Sequence, residues 1–160
     1  IRDRRDQGGW IREVVSHFVF LAHRTLGPLR LETSTVTYPD GPHGESCEVD
    51  AFARFSAGGH PLVMIGTSEG VGPDVVDFTI RGTAGSLRIL DWYRLQTADG
   101  DGWSDALGSD RPALAADAYS AQLDALCSML DGEPTTIASF AEALAVQEVV
   151  EAILFDPDHT

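Results

Sequence analysis

At 160 residues the chain has the length of one compact domain, enough to bury roughly 70% of its unfolded surface. Its formal net charge is −14 and all 11 basic residues are Arg; without Lys it can build neither a phosphate-cradling P-loop, nor the strand lysine of a protein kinase, nor a Schiff base. A pI near 4.5 excludes nucleic acid and anionic membrane as natural partners, because affinity for both comes from cationic side chains.

The chain opens Ile-Arg-Asp-Arg-Arg, with neither a Met nor an apolar signal core, so it is expected to be a fragment of a longer protein. Residues 10–26 follow with Ile11, Val14, Val15, Phe18, Leu21 and Ala22 on one stripe of a helix, which Gly27-Pro28 stops. Leu29 to Tyr38 is rich in β-branched residues, and Val49, Ala51, Ala53 and Phe55 alternate with Glu48, Asp50, Arg54 and Ser56, the period of a half-buried strand. Ala57-Gly58-Gly59-His60 turns this strand into Pro61 to Thr67, and Val75 to Arg81, Gly82-Thr83-Ala84-Gly85 and Ser86 to Leu95 read as a second hairpin. Asp99 to Pro112 has no period and reads as an exposed loop. Two helices close the chain. One carries Tyr119, Leu123, Leu126, Cys127 and Leu130 and ends at Asp131-Gly132; the other starts on a capping box of Ser139 and Glu142 and carries Phe140, Leu144, Val149, Ile153 and Leu154. This order predicts an α+β class: one open, mostly antiparallel sheet from Leu29 to Leu95, with helices at Ile11–Leu26, Ala113–Leu130 and Phe140–Leu154 on one face. No apolar run is long enough to span a bilayer. Cys47 and Cys127 lack metal-site spacing and read as reduced packing residues, which fits a cytoplasmic protein.

Gly66-Thr67-Ser68-Glu69-Gly70 matches the GxSxG nucleophile elbow, but an elbow opens a helix, whereas Gly72-Pro73 and Val75-Val76 follow, and the only downstream His is His159. A Gly-rich hairpin loop is the better reading. Gly70-Val71-Gly72 fails equally as a dinucleotide fingerprint, having no third glycine and no βαβ unit. Glu13 and His17 stand four apart and share a helix face, with Phe20 and Arg24 near them and the apolar stripe opposite. A carboxylate beside an imidazole can hold its tautomer and raise its basicity, as a general acid/base at a hydroxyl requires; a solvated ion pair on a surface helix is the alternative. A metal site of Glu13, His17 and His23 is disfavoured, because His23 points away.

Residues 8–27, GGWIREVVSHFVFLAHRTLG, resemble the opening of the C-terminal domain of the Gfo/Idh/MocA oxidoreductases, whose pattern runs Gly-Gly, Asp, a His four positions later, a second Asp, a large apolar residue and Gly. Residues 78–91, FTIRGTAGSLRILD, resemble that family's strand-turn-strand around Gly-Thr-x-Gly, and residues 119–132, YSAQLDALCSMLDG, its late helix. The resemblance implies that residues 1–160 are a single C-terminal domain, carrying substrate contacts and a homodimer surface on the sheet, whose partner is an N-terminal Rossmann domain, absent from this chain, that binds NAD or NADP. It further implies a parent dehydrogenase acting on a sugar-like or polyol hydroxyl, with His17 as proton-transfer residue and Glu13 as its orienter. The chain by itself is expected to bind no cofactor and to be inactive. Glu13 stands where the family has Asp, Val15 where it has Gly and Phe20 where it has the second Asp. Glu13 keeps the charge but reaches one methylene further, while Phe20 cannot orient a polar substrate. These departures leave a second expectation open: a non-catalytic binding or dimerisation module.

Overall fold

The computed structural model describes residues 7–39 and 46–155; the opening Ile-Arg-Asp-Arg-Arg and His159 lie outside them. In chain order a π-helical turn (Ile11–Val15) continues into α1 (Ser16–Leu26). There follow β1 (Leu29–Thr37), β2 (Asp50–Ala57), β3 (His60–Thr67), β4 (Asp77–Arg81), β5 (Ser86–Leu90), β6 (Arg94–Ala98), β7 (Ser104–Asp105), α2 (Arg111–Leu130) and α3 (Phe140–Leu154). The class is α+β and every strand pairing is antiparallel. The expected run of strands divides into two open sheets, β1-β2-β3 and β4-β5-β6-β7. The chain correspondingly packs as two compact units, Ile1–Val71 with Ala138–Thr160, and Gly72–Ile137.

In the first unit β2 is the central strand. Its inward residues Ala51, Ala53, Phe55 and Ala57 are buried, as the alternation predicts. Three of these four are Ala, small enough to let helices approach closely, and Phe55 fills the space between. Gly58 and Gly59, at φ 57 and 87, make the two-residue turn into β3; positive φ at both positions matches the strands' twist. β1 carries a bulge between Leu31 and Thr33, and Glu32 in it accepts from Arg54 Nε at 3.0 Å and Arg30 Nη2 at 3.2 Å.

Helices α1 and α3 cover this sheet and run antiparallel, each end held by a two-pronged arginine. Arg12 donates to both Glu151 oxygens at 2.8 and 2.7 Å, and Arg24 to both Glu142 oxygens at 2.8 and 3.0 Å. Beneath them Ile11, Val15, Val19, Val146, Val150, Ile153 and Leu154 form one core with β2. The buried stripe of the π-turn and α1 together is therefore Ile11, Val15, Val19 and Ala22, displaced from the expected Val14 and Phe18. The cause is the wider first turn, in which Ser16 N–H reaches back five residues to Ile11 O. Each residue there winds through a smaller angle, which carries the stripe round the helix. Phe20, half-buried, also packs against this core, with the Arg24 guanidinium 4.6 Å above its ring.

The second unit is a four-stranded meander followed by α2. The turn at Gly82–Gly85 is closed by Gly82 N–H to Gly85 O at 2.9 Å. The segment expected as one strand from Ser86 to Leu95 breaks at Asp91 and Trp92, whose φ of 48 and 74 reverse the chain into β6; non-glycine residues seldom adopt this region, so composition does not announce it. The expected loop from Asp99 to Pro112 contains β7 and gives its last residues to α2, whose N-terminus is capped by Asp110, accepting from Ala113 N–H at 3.3 Å. The apolar stripe of α2 is a further correction. Tyr119, Leu123, Leu126 and Leu130 are exposed, as is Cys127: the helical period fixes which residues share a side but not what covers it.

Candidate functional site

The candidate residues Glu13 and His17 sit on the continuous helical run at the start of the chain, so local winding places them. Glu13 lies half-buried inside the π-turn, with its N–H donating to Gly9 O at 3.0 Å. His17 is exposed in the first turn of α1. Single π-turns in otherwise α-helical runs concentrate at functional sites, where they re-aim side chains that an α-helix would point elsewhere. His23 is half-buried six residues on, and no cluster of three metal-ligating side chains exists among the described residues.

Glu48 positions this turn. Its side chain is 2% exposed, and its Oε1 accepts from Ile11 N–H at 2.7 Å. A carboxylate here satisfies an orphan donor of the first turn and complements the positive end of the helix dipole. Glu48 Oε2 and Trp10 Nε1 are buried with no hydrogen-bond partner among the described residues. Gly9, at φ +103, lies so close to the Glu48 carboxylate that any Cβ would collide with it, which explains the second glycine of Gly8-Gly9. The six-membered ring of Trp10 lies against Gly66 of β3, where any Cβ would likewise collide with the indole. Arg12 completes the anchor: besides Glu151 it donates to Gly8 O at 3.0 Å. The Glu151 hydrogen bond raises the Arg12 pKa and lowers that of Glu151.

Sequence reasoning placed Glu48 among the outward members of the β2 alternation. The strand begins at Asp50, so the two-residue period does not govern Glu48, and its partner lies 37 residues away. The available signal was Gly8-Gly9 ahead of a helix with no Ser, Thr, Asp or Asn at its start, which leaves the first turn in need of a distant cap.

Gly66 to Gly70 is no nucleophile elbow in the structure. Gly66 pairs with Ala51 inside β3, and Ser68 Oγ donates to Glu48 O at 3.2 Å. A dinucleotide phosphate fits none of the three helix starts either. The first meets Glu48, α2 is capped by Asp110, and α3 by the Ser139 and Glu142 box. Each cap brings a carboxylate to the place where a phosphate would need bare N–H groups.

No family model and no curated protein matches the chain. Solved structures do. An oxidoreductase from Thermotoga maritima superposes with a TM-score of 0.69 at 14% identity, over 96% of this chain and 44% of its own. The dehydrogenase MviM from Clostridium difficile gives 0.67 at 10% identity, over 96% and 50%. An oxidoreductase from Agrobacterium radiobacter, solved in complex with NAD+, L-tartaric acid and magnesium, gives 0.59 at 19% identity, over 89% and 45%. The chain spans about half the length of these proteins, and over that half it shares their fold.

Proposed function

We propose that this chain is the substrate-side, C-terminal domain of an NAD(P)-dependent oxidoreductase of the Gfo/Idh/MocA type, acting on a sugar-like or polyol hydroxyl. The observation that carries the reading is a fold shared over nearly the whole chain with half of three oxidoreductases, one of them holding NAD+. A fold so distributed calls for a second domain, and the carboxylate-capped helix starts of this chain leave the dinucleotide to that Rossmann domain. What the present residues supply is proton handling: His17, exposed and set just beyond a π-turn, takes or returns the proton of the reacting hydroxyl, and Glu13 orients it. We assign the homodimer surface to the uncovered face of β1-β2-β3. There Phe52 opposes Ile65 and Arg54 opposes Val63 in the β2–β3 register, and Ile65 is 77% exposed. The protein is assigned to the cytoplasm.

The test uses the parent polypeptide with its Rossmann domain. His17→Ala is expected to lower turnover by about a hundredfold or more with a nearly unchanged melting temperature, because the exposed imidazole lies off the buried stripe of the helix. Glu13→Gln is expected to cause a smaller loss and to displace the pH profile of turnover. Full activity of the His17→Ala enzyme rules the assignment out. The apolar patch of Phe52, Val63 and Ile65 favours the second reading, a non-catalytic binding and dimerisation module, which that result would leave standing.

A further inference from the structure

The arginines of the second unit point to a ligand site that does not depend on the reading of Glu13 and His17. Seven arginines have described side chains. Arg12, Arg24, Arg30, Arg54 and Arg94 each hold a carboxylate. Arg81 and Arg88 hold none among the described residues, in a chain whose acidic residues outnumber its basic ones more than two to one. The two are also neighbours. Arg81 pairs with Ser86 and Thr79 with Arg88, so both arginines stand on one face of the β4–β5 ribbon in a diagonal relation of about 7–8 Å.

Their surroundings are built. Arg88 donates through Nε to Gln96 Oε1 at 2.7 Å, and its guanidinium lies 4.3 Å from the centre of the Trp103 ring. Gln96 is buried and donates onward to Asp105 Oδ1 at 2.8 Å, and Asp105 is held in turn by Arg94 at 2.7 and 3.0 Å. This chain of contacts fixes Trp103 as one wall of a pocket of about 350 Å³, whose lining includes Arg81, Ser86, Asp99, Asp101 and Trp103. That volume lies at the small end of ordinary ligand sites.

We propose that this pocket binds a small carboxylate bearing several hydroxyl groups. The planar fork of Arg81 matches a carboxylate through two parallel hydrogen bonds. Asp99 and Asp101 accept from hydroxyls on the rest of the molecule, and the same two charges repel a phosphate dianion. Arg88 is a positioning residue, acting through Trp103.

Calorimetric titration of the chain with sodium gluconate, with sodium acetate and inorganic phosphate as comparators, tests the site. Saturable gluconate binding is expected, with acetate and phosphate at least tenfold weaker. Arg81→Ala should weaken gluconate binding tenfold or more with an unchanged circular dichroism spectrum. Arg81→Lys should recover part of the loss, Arg88→Gln should weaken binding less than Arg81→Ala, and Arg54→Ala, in the other unit, should leave it unaltered. Absence of saturable gluconate binding overturns the proposal. So does equal binding by Arg81→Ala, or phosphate binding as tight as gluconate, since the last would mean attraction by charge alone.

Discussion

The two units tie themselves together over different distances along the chain. In the first, Arg12 meets Glu151 and Arg24 meets Glu142, spanning 139 and 118 residues, and the helices so fastened bury a continuous core against β2. In the second, the ordered polar contacts join adjacent strands: Arg88 to Gln96 and Arg94 to Asp105 lie 8 and 11 residues apart. Its helix α2 leaves Tyr119, Leu123 and Leu130 in solvent. The lesson is that the first unit owes its stability to closure by the returning α3, whereas the second is a local meander with unburied apolar surface. The π-turn that carries Glu13 and the first turn of α1 that carries His17 belong to the closed unit, where a rigid frame can aim a side chain.

Truncations in the two units should break or sharpen that contrast most strongly. Phe55→Ala, removing a fully buried ring from β2, should destabilise the protein by roughly 3–5 kcal/mol. Leu123→Ala on the exposed stripe of α2 should stay within about 0.5 kcal/mol. Urea unfolding of both variants gives the comparison, and equal losses would mean that α2 is covered in solution. Next in size is the buried cap. Glu48→Ala strips the Ile11 N–H of its acceptor and should lose about 1–3 kcal/mol. Glu48→Gln keeps an acceptor oxygen at the same reach and should lose less. If the two variants are equally stable, the 2.7 Å bond is not what anchors the turn.

The smallest effect concerns pH. Arg24, and after it the Ser139 cap, hold the Glu142 carboxyl at about 2, below its ordinary 4.5, and Arg12 lowers Glu151. A carboxylate whose folded pKa is depressed adds stability that is complete above its unfolded value and lost as the pH falls toward the folded one. The first unit should therefore weaken progressively from about pH 4.5 down to 2, and Arg24→Gln should flatten that slope. Because Glu142 and Arg24 both remain partly solvated, the difference should shrink in high salt. Melting curves at pH 5, 3.5 and 2.5 in low and high salt would show it; an unchanged slope in Arg24→Gln would dismiss the pair as a contributor.

Periodicity and punctuation in the sequence determined nearly every element. Gly58-Gly59 and Gly82–Gly85 are the turns they read as, α3 begins on the Ser139 and Glu142 box, and Ala51, Ala53 and Phe55 face inward. These features are legible because their causes lie within a few residues: positive φ suits glycine, a side-chain oxygen reaches the N–H three residues on, and side chains alternate across a pleat. Only the tertiary structure decided that the strands divide into two sheets, that the first turn of the opening helix widens, that Phe20 packs against the core, and that Glu48 leaves the surface to cap Ile11. Each of these depends on groups brought together from distant parts of the chain. That Glu13 and His17 lie on one helical run was readable from local spacing, whereas the cap that holds its first turn was not, because Glu48 is 37 residues from the N–H it holds and no local pattern encodes that separation.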